Sequence, residues 1–392
     1  MELMTLKNIQ HPTSISKPKA DFIHNVDDQL FSLVGKIDIL EAVKPLNYSE
    51  QRTAFLDSLY SVDPTFQYQK STIDSFKLKR ELFNLPLDGI DEEDLRNLYL
   101  NVVDSYVDKI DQFKSIGSNE FLYDSLRYYG EPSTKDIRNS NFILHLPDES
   151  EPNDCEIKDA KYIESTLKAF ADKENYQYEL ILDDTMIANA LVSGQKVRIN
   201  TAAKVSKIEA DALAHHELGV HLVTTLNARQ QPFKILSLGC PTNTTTQEGM
   251  AILSEYLAGC ITIKRLKILA LRVLAVESMI KEKKFRNTFL LLKEQYQVED
   301  ELAFTITARV YRGGGFTKDY LYLKGLHQVL NAYEKLPDFQ NLLIGKTSLE
   351  FLPLITRLIE KGIFIPPVYI TPAFLNPTHN DDIKRFITHA IK

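Results

Sequence analysis

Three of the nine histidines of this chain fall within seven residues, His215-His216-Glu217-Leu218-Gly219-Val220-His221. Two imidazoles on one helix, with a carboxylate beside them, suit metal-assisted hydrolysis: neutral ring nitrogens bind a divalent cation such as zinc, and the carboxylate takes a proton from water. In the familiar HExxH arrangement the histidines lie four apart and share a helix face. Here they lie five apart, as His216-Glu217-x-x-x-His221. Five steps of about 100° set the two rings about 140° apart on a regular helix, too far for one tetrahedral ion. One extra residue absorbed as a π-bulge returns both rings to one face. Gly219, between them, lowers the cost of that distortion. A metal site here therefore demands an irregular helix at about residues 217–221.

A catalytic zinc takes three protein ligands and keeps one position open. Two histidines need a partner, and a carboxylate on a following helix suits the role. Glu248, read as opening the next helix after a Pro/Asn/Thr-rich loop over 239–246, is the leading candidate, with Glu255 two turns on as the fallback. Glu217 is assigned as the general base rather than a ligand. The plainer alternatives are a polar patch that includes His215, and an i,i+4 pair of Glu217 with His221.

The elements that must hold these groups are mostly helical. Ser206 stands three residues before Glu209, a capping-box spacing, and opens an amphipathic run from Ile208 to about Leu226. Residues 156–174 read as a helix, and 177–182 and 196–200 as strands around Gly194. The expected organisation is a flexible N-terminal arm over 1–25, a helical region cut by prolines over 26–150, and a metallopeptidase domain over 151–392. The fold class is α+β and mostly helical, with a small mixed sheet beside the helix that carries His216 and His221.

A net charge of −7 argues against a nucleic-acid binder, while leaving room for a local basic pocket. Three cysteines, Cys155, Cys240 and Cys260, in no CxxC pair, fit a reducing compartment rather than a disulfide framework. No apolar signal segment is evident near the start. The most hydrophobic stretch, Ala258 to Val276, carries Lys264, Arg265, Lys267 and Arg272, which a membrane span rarely tolerates. A cytoplasmic protein with no membrane partner is expected.

The HExxxH residues followed by Gln247-Glu248-Gly249-Met250-Ala251 resemble the bacterial flavohemoglobin expression-modulating QEGLA-motif proteins. These belong with the microtubule-associated tyrosine carboxypeptidases of animals, in a domain family long of unknown function. Asn227, Gln231-Pro232, Ser254-Glu255-Tyr256 and Arg309-Val310-Tyr311-Arg312-Gly313 before Asp319 extend the resemblance, which runs from about Phe121 to Pro377. Met250 stands where leucine is usual. The resemblance implies a gluzincin-type, zincin-like core and a zinc peptidase that trims a C-terminal residue. It also implies one Zn2+ per chain, held by His216, His221 and Glu248, with Glu217 as the base and a peptide or protein C-terminus as substrate. The rival expectation is a regulatory or binding protein that keeps this fold without catalysis.

A carboxypeptidase must also hold a terminal carboxylate, which suits arginine. Arg312, beside a triple glycine read as flexible, is the first choice, then Arg309 and Lys318. Tyr311, Tyr320 or Tyr322 could supply a phenol to the oxyanion. Gly345-Lys346-Thr347 resembles the end of a P-loop, but Gln340 stands where the motif needs glycine.

Overall fold

A computed structural model describes residues 16–70, 73–148 and 156–392. The chain is α+β and mostly helical, with one three-stranded mixed sheet among the described residues. Most of the arm expected over 1–25 lies outside the described residues. Its last part is helical: α1 spans Lys17–Val34, with Pro18 in its first turn, where a missing N–H costs nothing. Ile23, Val26, Leu30 and Val34 form its buried stripe. It packs in one core with α3 (Glu93–Ser115) and with Phe233, Leu236 and Leu358 from the second half of the chain. Between them, the single turn α2 (Ile39–Ala42) is capped by the Asp38 carboxylate.

After α4 (Ala160–Glu174) come β1 (Glu179–Asp183), β2 (Ala190–Ser193) and β3 (Lys196–Asn200). The sheet order is β1-β3-β2, with β1 parallel and β2 antiparallel to β3. The sequence signals β1 and β3 but not β2, whose four residues are too few to show alternation. Gly194, at φ +60°, sits in the tight turn between β2 and β3.

The Asn200 N–H donates to the Asn189 carbonyl, so Ala190 and Val192 are the positions of β2 that do not bond to β3. Their main-chain polar groups point toward the free edge of the sheet. That edge lines the cleft described below.

The following helix, α5, is built of three consecutive pieces: α-helical Lys207–Leu213, π-helical Ala214–Leu222 and α-helical Val223–Gln230. The capping box expected at its start is present, with Ser206 and Glu209 exchanging hydrogen bonds. Then come α6 (Asn243–Leu257), α7 (Ile263–Glu282), α8 (Asp300–Tyr311) and α9 (Leu321–Lys335). Helix α6 starts earlier than the Thr/Asn-rich segment suggests, because Thr242 takes a left-handed conformation that turns the chain directly into it. Glu248 therefore lies in its second turn rather than at its opening.

Every residue of α6 from Thr246 to Leu257 is buried, and the helix crosses α9 at a glycine pair. A Cβ on Gly249 would lie 2.4 Å from the Gly325 carbonyl group, and one on Gly325 would lie 2.2 Å from the Thr245 oxygen. The glycine beside Glu248 is thus what lets α6 sit close enough to present that carboxylate. Gly249→Ala should force the two backbones apart at a cost of about 1–3 kcal/mol. It should lower the melting temperature and retract Glu248. An unchanged melting temperature would show that the crossing yields without cost.

Candidate metal centre

The site begins with the widened turn of α5. The π-helical stretch Ala214–Leu222 covers the span in which an irregularity is required if His216 and His221 are to face one point. Their ring centroids lie 5.0 Å apart. The carbonyls of this stretch receive side-chain donors: Ser254 Oγ to His215 O at 3.1 Å and Thr371 Oγ1 to Gly219 O at 2.7 Å. Thr224 Oγ1 donates to Val220 O at 2.9 Å, and both Thr225 Oγ1 (2.9 Å) and Lys346 Nζ (3.0 Å) donate to His221 O. Those donors supply partners for main-chain oxygens that regular i→i+4 bonding does not reach. Gly219 has room for a methyl group, its nearest neighbour to an added Cβ being Ser254 Oγ at 3.4 Å. The π-turn is therefore held by its donors rather than by steric need for glycine.

Glu248 completes the cluster. Its Oε2 lies 3.6 Å from His216 Nε2 and 3.7 Å from His221 Nε2, and one ligand atom from each residue falls within 4.8 Å of the others. That Oε2 is buried with no hydrogen-bond partner among the described residues, while Oε1 accepts from Lys318 Nζ at 2.5 Å. Ligand atoms about 2 Å from a tetrahedral zinc sit about 3.4 Å from one another. An orphaned carboxylate oxygen beside two ring nitrogens at this spacing fits such a cation.

Burial disfavours charge throughout the site. For His221 burial prevails and lowers the pKa. For His216 the surrounding carboxylates of Glu248, Glu255 and Glu217 outweigh burial and raise it to about 10. Burial opposes the Glu248 carboxylate too, but Lys318 and the two imidazoles hold its pKa well below the usual range.

Glu255, the fallback ligand, faces the other side of the ring: its Oε1 lies 2.7 Å from His216 Nδ1. Arg265 grips the same carboxylate through Nε and Nη2 at 3.1 and 2.9 Å. Glu255 therefore orients His216 and directs Nε2 toward Glu248, as carboxylates behind ligating imidazoles commonly do. Glu217 does not pair with His221. Its Oε2 accepts from the Val192 N–H of β2 at 3.0 Å, and its Oε1 lies 4.0 Å from His216 Nε2. His215 turns away and packs edge-on against Phe170, its Nδ1 without a partner among the described residues. It is a core contact rather than a satisfied polar patch.

These groups open into a cleft of about 360 Å³ between β2, α5, α7 and α8. Arg312, Arg309, Lys318 and Tyr322 line it. Arg309 is already engaged, forking onto Asp319 at 2.5 and 3.0 Å, and Lys318 is held by Glu248, so neither is free for a substrate carboxylate. Arg312, stacked over the Phe316 ring, has its Nε buried without a hydrogen-bond partner among the described residues. The glycines after it form a packed turn rather than a flexible one: Gly313 has φ +74°, and a Cβ there would lie 2.4 Å from the Phe121 ring.

Tyr311 and Tyr320 are outside the cleft. Tyr311 bonds Thr288 at 3.1 Å, and Tyr320 donates to the Tyr129 carbonyl at 2.6 Å. Tyr322 is the one of the three that faces the site, its hydroxyl 3.1 Å from Lys318 Nζ.

Sequence reasoning missed Arg265 and Arg272, which line the cleft with Ile268 from one face of α7. Their spacing of three and four residues within an apolar helix was the available signal. Burial and the neighbouring Arg309 lower the Arg272 pKa to about 9, and the same two causes lower Arg312 to about 10. Lys346, from the failed P-loop match, was also missed.

His216, His221 and Glu248, from two packed helices, with Glu217 beside them and arginines along the cleft, make a candidate metal centre. A family model described as "Microtubule-associated tyrosine carboxypeptidase" matches residues 53–392, and the chain belongs to that family. The match begins well before Phe121, where the motif resemblance starts. The mouse (Mus musculus) protein named Microtubule-associated tyrosine carboxypeptidase 1 is 23% identical over 332 residues, covering 80% of this chain and 61% of the relative. Its rat (Rattus norvegicus) counterpart is 22% identical over 332 residues, with 80% and 60% covered. The chain thus spans about three fifths of the length of these curated relatives. Among the described residues no helix is long and apolar enough to cross a membrane.

Removing the carboxylate behind His216 tests its positioning role. Glu255→Gln should retain one metal equivalent at saturation but weaken zinc affinity by about 10–100-fold in a chelator competition. Unaltered affinity would assign Glu255 to packing alone.

Proposed function

We propose that this chain is a zinc-dependent carboxypeptidase with a zincin-like core, binding one Zn2+ through His216 Nε2, His221 Nε2 and Glu248 Oε2. The observation that carries the proposal is the buried Glu248 oxygen, which has no hydrogen-bond partner among the described residues and lies 3.6–3.7 Å from two ring nitrogens. Membership of a carboxypeptidase-named family supports the reaction class.

Bound zinc would polarise the scissile carbonyl and lower the pKa of water at the open position. Glu217, with Oε2 fixed by Val192 N–H, offers Oε1 to take the proton from the attacking water and return it to the departing amine. The free edge of β2 offers the Ala190 N–H and carbonyl to an extended peptide, aligning it along the cleft. Arg312 holds the terminal carboxylate, which fixes cleavage at the last peptide bond. Tyr322 is the phenol placed to donate to the developing oxyanion.

Protein purified without added metal should carry close to one zinc per chain. Glu217→Gln should keep that zinc and lose peptide hydrolysis by at least about 100-fold, with release of a single C-terminal residue read by mass spectrometry. Less than about half an equivalent of zinc, or hydrolysis that survives the Glu217 change, would overturn the assignment. Cleavage of C-terminally amidated peptides at the same rate as free ones would remove the carboxypeptidase part.

A further inference from the structure

A second cavity, of about 450 Å³, borders the π-turn and takes no part in the hydrolytic centre. Lys109 of α3, Arg229 near the end of α5 and Lys346 line it, and Asp38 is the one carboxylate on its wall among the described residues. That carboxylate is already engaged. It accepts from the Glu41 N–H at 3.1 Å and from the Ser193 hydroxyl at 3.4 Å. The wall therefore carries two positive charges in excess, in a chain whose net charge is −7.

The three cations meet only neutral groups among the described residues. Lys346 Nζ donates to His221 O and to Thr224 Oγ1, both at 3.0 Å, which uses two of its three N–H bonds. Its main chain is pinned on both sides, Lys346 N donating to Leu236 O and Cys240 N to Lys346 O, each at 2.8 Å. Lys109 Nζ stands 4.3 Å from the Tyr106 ring centre and 5.6 Å from that of Tyr128, contacts that attract a cation without neutralising it. Arg229 is exposed.

Two of these cations share one end of the cavity. Thr225 and Arg229 are four apart on α5 and so share a face, and Thr225 Oγ1 and Lys346 Nζ both donate to the His221 carbonyl. Thr244, in the first turn of α6, lines the same cavity, and that helix opens without a side-chain cap, so its positive end adds to the field. The rest of the wall is aromatic and apolar, with Tyr106, Tyr128, Ile37 and Leu238. Tyr106 is held in place by its hydroxyl, which donates to the Leu238 carbonyl at 3.1 Å.

An ammonium and a guanidinium from different elements suit an anion with oxygens in several directions, whereas a planar carboxylate is met by a single arginine fork. A phosphate monoester carries about −1.5 to −2 charges at neutral pH and three acceptor oxygens, which matches the excess on this wall. The volume is that of a small-molecule site.

We propose that this cavity binds a small aromatic phosphate monoester, with the phosphate at Arg229 and Lys346 and the ring against Tyr106, Tyr128 and Leu238. The site is separate from the metal centre and does not rest on the zinc reading, although Lys346 belongs to both the cavity wall and the support of the π-turn.

The test is calorimetric titration of the purified chain with phenyl phosphate, phenol and inorganic phosphate. Phenyl phosphate should bind at one site per chain, about tenfold or more tighter than either fragment, since it alone fills both ends. Arg229→Gln, on an exposed side chain, should weaken phenyl phosphate by about tenfold, the scale of one charge-assisted contact, and leave the melting temperature unchanged. Arg312→Gln, in the cleft on the other side of the metal residues, should leave phenyl phosphate binding as it was.

Phenyl phosphate that binds no tighter than inorganic phosphate, or binding that survives Arg229→Gln, would overturn the site. Binding lost with Arg312→Gln and kept with Arg229→Gln would place the anion in the hydrolytic cleft and overturn it equally. The comparison of the three ligands is made on the unaltered protein, so it stands even where a variant folds poorly.

Discussion

Five residues separate His216 from His221, and a regular helix would aim their rings apart; everything at this site depends on the wider turn that brings them together. A π-turn is uncommon because it leaves main-chain oxygens poorly bonded and the helix axis loosely packed. Here hydroxyls and an ammonium from α5 itself, α6, Lys346 and Thr371 meet those oxygens. Asn227 adds a latch, its amide bonding the main chain at Leu343, Val368 and Tyr369, and Gln231 does the same at Ile365. The C-terminal third of the chain is therefore bound to the helix whose geometry it preserves.

Around the turn the buried charges alternate. Lys318 neutralises one oxygen of Glu248 and leaves the other for the imidazoles, Glu255 sits between His216 and Arg265, and Asp319 sits between Arg309 and Arg272. Buried ion pairs of this kind add little net stability, since desolvation cancels most of their attraction. Their effect is positional. Each carboxylate is fixed on one side by a cation and so presents a defined oxygen or orients a defined ring. The glycine crossing of α6 and α9 sets the height of this layer, because it fixes how near Glu248 comes to α5.

Much of the centre was legible in the chain itself. The five-residue spacing implied the π-turn, the Ser206–Glu209 spacing gave the helix start, and the QEG segment pointed to Glu248. What failed did so for physical reasons. Tyr311 and Tyr320 share the sequence neighbourhood of Tyr322, and only the three-dimensional path of α8 and α9 decides which of them faces the cleft. Arg265 and Arg272 read as charges that merely spoil an apolar helix, because their counter-groups lie on other elements. Arg309 and Lys318 read as free cations, because the acids that occupy them are ten and seventy residues away. Strand β2 is too short to announce itself, and the role of Thr371 depends on a contact 152 residues distant.

The most direct measurement is anomalous diffraction from crystals of the protein, recorded on both sides of the zinc absorption edge. One peak per chain, about 2 Å from His216 Nε2, His221 Nε2 and a Glu248 oxygen, is the predicted result. A peak elsewhere, or a structure in which the turn relaxes to regular helix and the two rings diverge, would contradict the account.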